Sequence, residues 1–314
     1  MRILFCALAA ALCAILPASA DDALRIAVGQ RGLWDTSVAE LGQRGGIFRK
    51  HGITLDILYT QGGGETQQAV ISGSVDLGVS AGTLGVFGAF AKGAPLRIIG
   101  AEMTGGADLF WYVRSDSAIR ALQDANGKTI AYSTNGASTH AIVNAFIKQY
   151  GLKAKPVATG SPPATLTQVM SGQIDVGWAG PPFGLDLIDQ GKIRIIANGN
   201  DADKLKSQTV RVLITNTATL QSRQPAIDRF MKAYRETVDW MYTDSAVFRH
   251  YAEFMGIGEA AMRRARDGFY PKAALDPDAI VGVDAINADA VEFRYMAASL
   301  TREQLAELIR IPPR

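Results

Sequence analysis

The chain has 314 residues, a formal net charge of +2, 20% charged residues and only 2 cysteines. With no basic block and no acidic tail, it is not built to grip nucleic acid or an anionic membrane surface. Cys6 and Cys13 both fall within residues 1–20, so the remainder has no thiol for a disulfide, a zinc–thiolate site or an iron–sulfur cluster.

Arg2, the apolar run Ile3 to Leu16 and the small-x-small ending Pro17-Ala18-Ser19-Ala20 predict a cleavable export signal over residues 1–20. That run is shorter than the roughly 20 apolar residues of a membrane span. A periplasmic product starting at Asp21 is expected, and about 290 residues can build a core without disulfides.

Leu24 to Gly29 reads as a first strand, rich in β-branched and aliphatic residues. A loop from Gln30 to Ser37 leads to a helix ending near His51, where Gly52 supplies the stop. Ile53 to Tyr59 is a second strand, and Gly62-Gly63-Gly64-Glu65-Thr66 opens a helix closed by Ser72-Gly73. Val75 to Ser80 is a third strand, Leu84 to Lys92 a small-residue helix and Leu96 to Gly100 a fourth strand.

The pattern then repeats. Lys128 to Tyr132, Ser138 to Tyr150, Pro156 to Thr159, Thr165 to Ser171, Ile174 to Trp178, Pro182 to Gln190 and Ile193 to Ala197 alternate strand and helix. Gly52, Thr60, Thr66, Ser72, Gly73, Asp76 and Gly78 recur 99 residues later as Gly151, Thr159, Thr165, Ser171, Gly172, Asp175 and Gly177. That period is far longer than the about 20–50 residues of a solenoid unit. Two copies of one α/β half, each with a mainly parallel sheet flanked by helices, account for it.

Leu109 to Arg114 and Val210 to Thr215 lie outside the repeat and read as strands crossing between two lobes. After Thr219 the chain turns helical. Ile227, Phe230, Met231, Tyr234, Val238 and Met241 form one apolar helix face, followed by segments near 245–255, 277–287 and 301–309. The expected lobes are 21–110 with 215–314, and 111–214, with the helical tail on the first and a ligand cleft between them.

In open parallel sheets, ligands bind beyond the carboxyl ends of strands, at helix starts. Four such junctions are rich in small residues: Gly62–Glu65, Ser80–Thr83, Ser133–Thr139 and Ala179–Pro182. Helix N-termini with exposed backbone N–H groups suit an anion or a polar headgroup, although Ser138 and Thr139 also fit ordinary capping. Trp34 and Phe183 are candidate apolar walls, whereas Trp111 and Trp178 suit core or cleft equally. Asp76 and Asp175, at strand entrances away from the cleft, read as structural.

Gly78-Val79-Ser80-Ala81-Gly82 matches a nucleophile elbow. Its repeat partner has Ala179 in place of the serine, its glycine-rich neighbour comes only one helix earlier, and His51, His140 and His250 lie on no obvious late loop after an acid. A serine hydrolase using Ser80 stands as the alternative of another class, and a receptor's sensory domain is disfavoured because no second membrane-length apolar run occurs. No metal signature, Walker loop or dinucleotide fingerprint occurs, so no cofactor or metal is expected.

Several of these motifs occur in a fixed order: Gly62-Gly63-Gly64-Glu65-Thr66, Ser72 to Gly78, Gly127 to Ala131 leading to Ser138-Thr139-His140, and Ser171 to Gly177. In that order they resemble periplasmic solute-binding proteins of the nitrate/sulfonate/taurine transporter group, which share a domain with thiamine-pyrimidine-precursor binders. The resemblance spans about residues 24–215. It implies a type II periplasmic-binding fold that closes on its ligand and delivers it to an inner-membrane ABC permease, without fixing the ligand. From the duplication, the crossing strands and the helix-start loops, a small organic anion bound without catalysis is expected. A monomer is expected. Binders of a pyrimidine precursor or an aromatic compound are the nearer alternative, while the yeast-type synthase branch is disfavoured because its cysteine-rich motif is missing.

The expected ligand contacts are Gln30, Trp34, Asp35, Gly63, Gly64, Glu65, Ser80, Ala81, Gly82, Thr83, Thr134, Asn135, Ser138, Thr139, Gly180, Pro181 and Phe183. The resemblance itself implies the positions of Ser80, Thr83, Ser138 and Thr139. Whether Glu65, Trp34 or Arg114 reaches the solute stays open.

Overall fold

A computed structural model describes residues 22–314, so the expected signal peptide and both cysteines lie outside the described residues. The strands are β1 (Asp22–Gly29), β2 (Ile53–Thr60), β3 (Leu77–Gly82), β4 (Leu96–Thr104), β5 (Phe110–Arg114), β6 (Thr129–Tyr132), β7 (Lys155–Ala158), β8 (Gly177–Ala179), β9 (Ile193–Asn198) and β10 (Thr209–Asn216). The helices in the two repeats are α1 (Val38–Arg44), α2 (Ile47–Lys50), α3 (Gly63–Ile71), α4 (Thr83–Ala91), α5 (Ser138–Gln149), α6 (Pro162–Met170) and α7 (Leu185–Asp189). The tail adds α8 (Thr217–Thr243), α9 (Ala246–Met255), α10 (Glu259–Phe269), α11 (Val283–Glu292) and α12 (Arg302–Leu308).

The first sheet has the order β2-β1-β3-β10-β4. In the second, β6 and β7 pair in parallel, a parallel bridge from Ile130 to Val176 links β6 to the β8 edge, and β8-β5-β9 completes it. The two sheets therefore share one plan. In each, four strands run one way, and the antiparallel member is the strand that has just crossed from the other lobe. The segments that fall outside the repeat are thus central strands, and each lobe is completed by the strand that follows the other's last one.

The repeated residues perform the same tasks twice. The Asp76 carboxylate accepts the Arg25 N–H at 2.8 Å, and Asp175 accepts the Thr129 N–H at 2.9 Å. Each thus ties the entrance of a third strand to a first strand. The hydroxyls of Thr60 and Thr66 lie 2.9 Å apart, and those of Thr159 and Thr165 lie 2.6 Å apart. Burial without a partner would cost each of these polar groups about 1–3 kcal/mol, so the repeat preserves pairs rather than single residues.

The expected helix up to His51 is broken. Gly46 adopts φ 74°, a left-handed conformation that a side chain would disfavour, and splits the run into α1 and α2. The helix expected over 277–287 forms later, as α11, and α10 forms in a stretch that carries no expected helix.

The tail packs on the first sheet. α8 lies against β4 and β10, α11 against α4, and α12 beside β4, where Ile309 bridges to Ile98. Its apolar face, Phe230, Met231 and Tyr234, is buried with Phe48, Tyr251 and Trp34 in one cluster. Burial of each such side chain stabilises by roughly 1.5–3 kcal/mol. Among the described residues no helix is long and apolar enough to cross a membrane.

Asp76→Ala and Asp175→Ala should each lower unfolding free energy by about 1–3 kcal/mol in urea titrations, because a strand-entrance N–H loses its acceptor. Asp76→Ala should be the costlier, since the Asp76 side chain is 9% exposed and that of Asp175 36%. Midpoints unchanged in both variants would refute the assigned role.

Candidate functional site

Residues from both lobes meet at the carboxyl ends of β1, β3 and β6. Gly29, Gln30, Leu33, Gly63 and Ser80 from one side face Ser133, Ala137, Ser138, Thr139 and Trp178 from the other, with Leu109 and Arg211 between them. The enclosed space is about 20 Å³, close to the size that admits a single water.

Two helices begin at this space, α3 at Gly63 and α5 at Ser138, so the positive ends of two helix dipoles point into it. Trp178 lines it with only 1% exposure, and its indole N–H has no hydrogen-bond partner. The Thr83 hydroxyl, at the start of α4, is likewise buried and unpartnered. Thr83 lies outside the lining, so the unpartnered side-chain donor at this space is the indole of Trp178, beside the two helix starts.

Arg211 is 3% exposed and sits on β10. Its Nε lies 3.0 Å from Asp35, its Nη2 donates to Asp108 at 2.7 Å, and its Nη1 donates to Ser138 on the opposite lobe at 3.4 Å. Glu102 on β4 completes the group and accepts the Ser80 N–H. Burial pushes Asp108 up to about 6, despite the adjoining guanidinium. Burial, and then the charge of Asp35, drive Glu102 well above the usual carboxylate range. Asp35, Glu102 and Asp108 thus gather around one guanidinium. Among the described residues, no group of three or more His, Cys, Asp or Glu side chains is arranged to hold a metal ion.

Of the expected contacts, Gln30, Gly63, Ser80, Ser138 and Thr139 line the space. Asp35 stands behind Arg211 and orients it. Ala81 backs onto Gly63 within the first lobe. Trp34 belongs instead to the core, fully buried among Tyr242, Phe248 and Tyr251. Glu65 is exposed and accepts the Gln61 N–H at 2.9 Å, capping its own helix, while Arg114 is paired with Asp116 away from the cleft.

The remaining small residues serve a different purpose from the expected one. A Cβ on Gly64 would lie 2.0 Å from the Asn135 carbonyl oxygen, and one on Gly82 or Gly85 would lie 2.2 or 2.3 Å from that of Gly136. These glycines let the opposite lobe's loop approach, not only a ligand. Thr134 seals the same contact by accepting the Gly64 N–H at 3.0 Å. Across the cleft, Gly180 packs on Leu33 and the Asp108 carbonyl, Pro181 accepts the Tyr270 hydroxyl at 2.8 Å, and Phe183 lines an outer pocket.

The Ser80 φ of 66° marks a bulge in β3, where the register against β10 slips. No histidine attends it. His51 pairs with Glu236, His140 bonds to Tyr295 and stacks on Tyr132, and His250 lies beside Trp240.

Arg211 is the functional residue missing from the expected set. Its sequence signal is a lone charge inside the apolar strand Val210-Arg211-Val212-Leu213-Ile214, a position that demands buried partners.

No curated protein matches the sequence. Among solved structures, the alkanesulfonate-binding protein SsuA from Xanthomonas axonopodis pv. citri, bound to MOPS, superposes with a TM-score of 0.77 at 22% identity, over 92% of this chain and 98% of that one. The aliphatic sulphonate binding protein SsuA from Escherichia coli gives 0.69 at 19% identity, covering 93% of each chain. A mutant of the enzyme DSZB, in complex with biphenyl-2-sulfinic acid, gives 0.59 at 16% identity, over 90% of this chain and 96% of that one. At such identities the likeness establishes the fold, that of periplasmic binding proteins. The model of the NMT1/THI5 like family matches residues 40–246, about two thirds of the sequence, and the chain belongs to that family.

Proposed function

We propose that the protein is the extracytoplasmic solute-binding component of an ABC importer. It captures a small organic anion, such as a sulfonate, taurine or a carboxylate, and passes it to an inner-membrane permease without chemical change. The observation that carries this reading is a space lined from both lobes, faced by two helix starts and bordered by a buried guanidinium, Arg211. Solved structures of the same fold that bind sulfonates support the choice of anion. Export through residues 1–20 and action as a periplasmic monomer belong to the same reading.

In this proposal residues 110–198 swing against 22–104 and 209–314, because β5 and β10 belong to the second and first sheets respectively. The links available for such a motion are 105–109 and 199–208, which join β4 to β5 and β9 to β10. Closure is read from the glycine contacts, and a binding role without catalysis from Ser80. Its N–H is used by Glu102, and no histidine lies beside it.

Gly64→Ala and Gly85→Ala place a methyl group where the opposite loop must sit. Both positions are helical, so the substitutions should leave thermal stability level or slightly raised. They should nevertheless weaken solute binding at least tenfold and enlarge the ligand-bound radius in small-angle scattering. Wild-type affinity in both would refute the closure contact.

Thermal shift and calorimetry with taurine, alkylsulfonates, benzoate, nitrate and a pyrimidine test the solute class, because a ligand of the folded state raises the midpoint. Protonating Asp108, whose carboxyl titrates at about 6, removes one of the charges offsetting Arg211. Anion affinity should therefore rise between pH 7.5 and 5.5. Binding confined to cations or pyrimidines, or anion affinity falling with acidification, would refute the reading.

A further inference from the structure

The tail helix α11 and the turn after it touch both a link between the lobes and the second lobe itself. Asp289, Glu292 and Tyr295 follow one another in steps of three residues. The Asp289 carboxylate accepts the Gln208 side-chain amide at 2.6 Å and pairs with Lys204 at 3.3 Å, both in the link 199–208. Glu292 pairs with the same Lys204 at 2.7 Å and with Lys148 of α5 at 2.9 Å. The Tyr295 hydroxyl reaches Nδ1 of His140, in the first turn of α5, at 3.0 Å. The three contacts thus run from the first lobe, over one link, onto the second lobe.

α5 presents a matching face. His140 and Lys148 lie on it with Asn144 midway between them, since steps of four residues share one side of a helix. The Gly136 N–H can only donate, and it lies 3.3 Å from His140 Nδ1. That nitrogen is therefore an acceptor, and the Tyr295 hydroxyl donates to it. Burial holds the imidazole below its ordinary value, which keeps the ring neutral at pH 7 and the acceptor available. Gly136 belongs to the loop that closely approaches Gly82 and Gly85 of the first lobe. The last contact therefore ends beside the loop that bounds the solute space.

The turn that delivers Tyr295 is held against its own preference. Arg294 has φ 63°, one of three non-glycine residues in the left-handed region among the described residues. The other two, Gln30 and Ser80, line the solute space. Such conformations persist where their surroundings dictate them. α4 leaves room for the turn, since a Cβ on Gly88 would meet the Tyr295 carbonyl oxygen at 2.8 Å. A second cross-lobe pair, Arg264 of α10 with Asp189 of α7, is looser. Its side chains are 50% and 53% exposed, and an exposed ion pair contributes little.

We propose that Asp289, Glu292 and Tyr295 form a hinge brace, which fixes the link 199–208 and holds the empty protein in its near-closed arrangement. The brace grips outside the solute space, so it governs how readily the lobes part without touching the solute. The inference rests on the two-lobe solute-binding reading above and adds to it a control on lobe position built into the tail. A solute that binds only between closed lobes gains affinity in proportion to the closed fraction that the brace maintains.

Residues 21–314 contain no cysteine, so spin labels on Ser72→Cys and Ser171→Cys, exposed at equivalent points of the two copies, report lobe separation cleanly. Label-to-label distances at pH 7.5 without solute should lengthen and broaden when Tyr295→Phe or Glu292→Gln is added. Calorimetry should show solute binding weakened about three- to tenfold in the same variants. Arg264→Gln, which removes the looser pair, should match the wild type in both measurements. Two brace variants at separate contacts keep the result readable if one folds poorly. Distances unchanged in both brace variants, or lengthened as much by Arg264→Gln, would overturn the brace and leave the solute-binding reading intact. If no solute binds the wild type, that reading fails, while the solute-free distances still decide whether the brace holds the lobes.

Discussion

The structure depends on keeping one guanidinium charged inside a protein interior. Removing an ion from water costs several kcal/mol even after relaxation, and only close, well-oriented partners offset that. Asp108 and Ser138 accept hydrogen bonds from Arg211, and Asp35 sets a carboxylate 3.0 Å from its Nε, from three places: the link between the sheets, the first turn of α5, and the loop after β1. The ion cluster therefore coincides with the point where both lobes and one of their links meet. On the proposed reading, a change in the angle between lobes alters the surroundings of Arg211 and couples solute binding to lobe position through that side chain.

That placement follows from the exchange of strands. β10 carries Arg211 into the middle of the first sheet after the chain has traversed the second, and β5 makes the reciprocal entry. A central strand is paired on both edges and cannot slip without breaking two ladders. The ends of the links are consequently anchored in the most rigid part of each lobe, and freedom is confined to the short stretches 105–109 and 199–208. The cleft can vary in width while the groups on either wall keep their internal geometry.

Much of this was legible in the sequence because duplication marks what the fold cannot alter. Asp76 with Asp175, and the paired threonines, recur because each meets a backbone or hydroxyl partner that recurs too. The repeat also located the small-residue junctions, though not their main neighbour. A glycine that faces a ligand and a glycine that faces another loop leave the same trace in one dimension, and only the 2.0 Å approach of a Gly64 Cβ to Asn135 separates them. Trp34 and Trp178 illustrate the same limit. Both follow a strand or form part of one, yet Trp34 is surrounded by aromatics from α8 and α9, hundreds of residues away, while Trp178 keeps an unpartnered N–H toward the cleft. Arg211 was hidden for a different reason. Its partners Asp35, Glu102 and Asp108 are distant in sequence, and a charge in an apolar strand announces a need without naming what meets it.

The excess of carboxylates around Arg211 is at first sight odd for a protein that takes an anion. A carrier, however, must be stable when empty as well as when loaded, and must release what it holds. An Arg left bare in the empty cleft would carry its full desolvation cost, and an anion satisfying it alone would be held too firmly to leave. Asp35 and Asp108 between them meet that charge in full in advance. Attraction then comes mainly from what remains directed at the cleft: the starts of α3 and α5 and the indole N–H of Trp178, dipoles whose pull fades within a turn of helix. Recognition by dipoles from two lobes is strong only while both lobes are in place. In the proposed cycle, opening the cleft would withdraw the donors of one lobe at once, and the affinity would fall as the solute is offered onward.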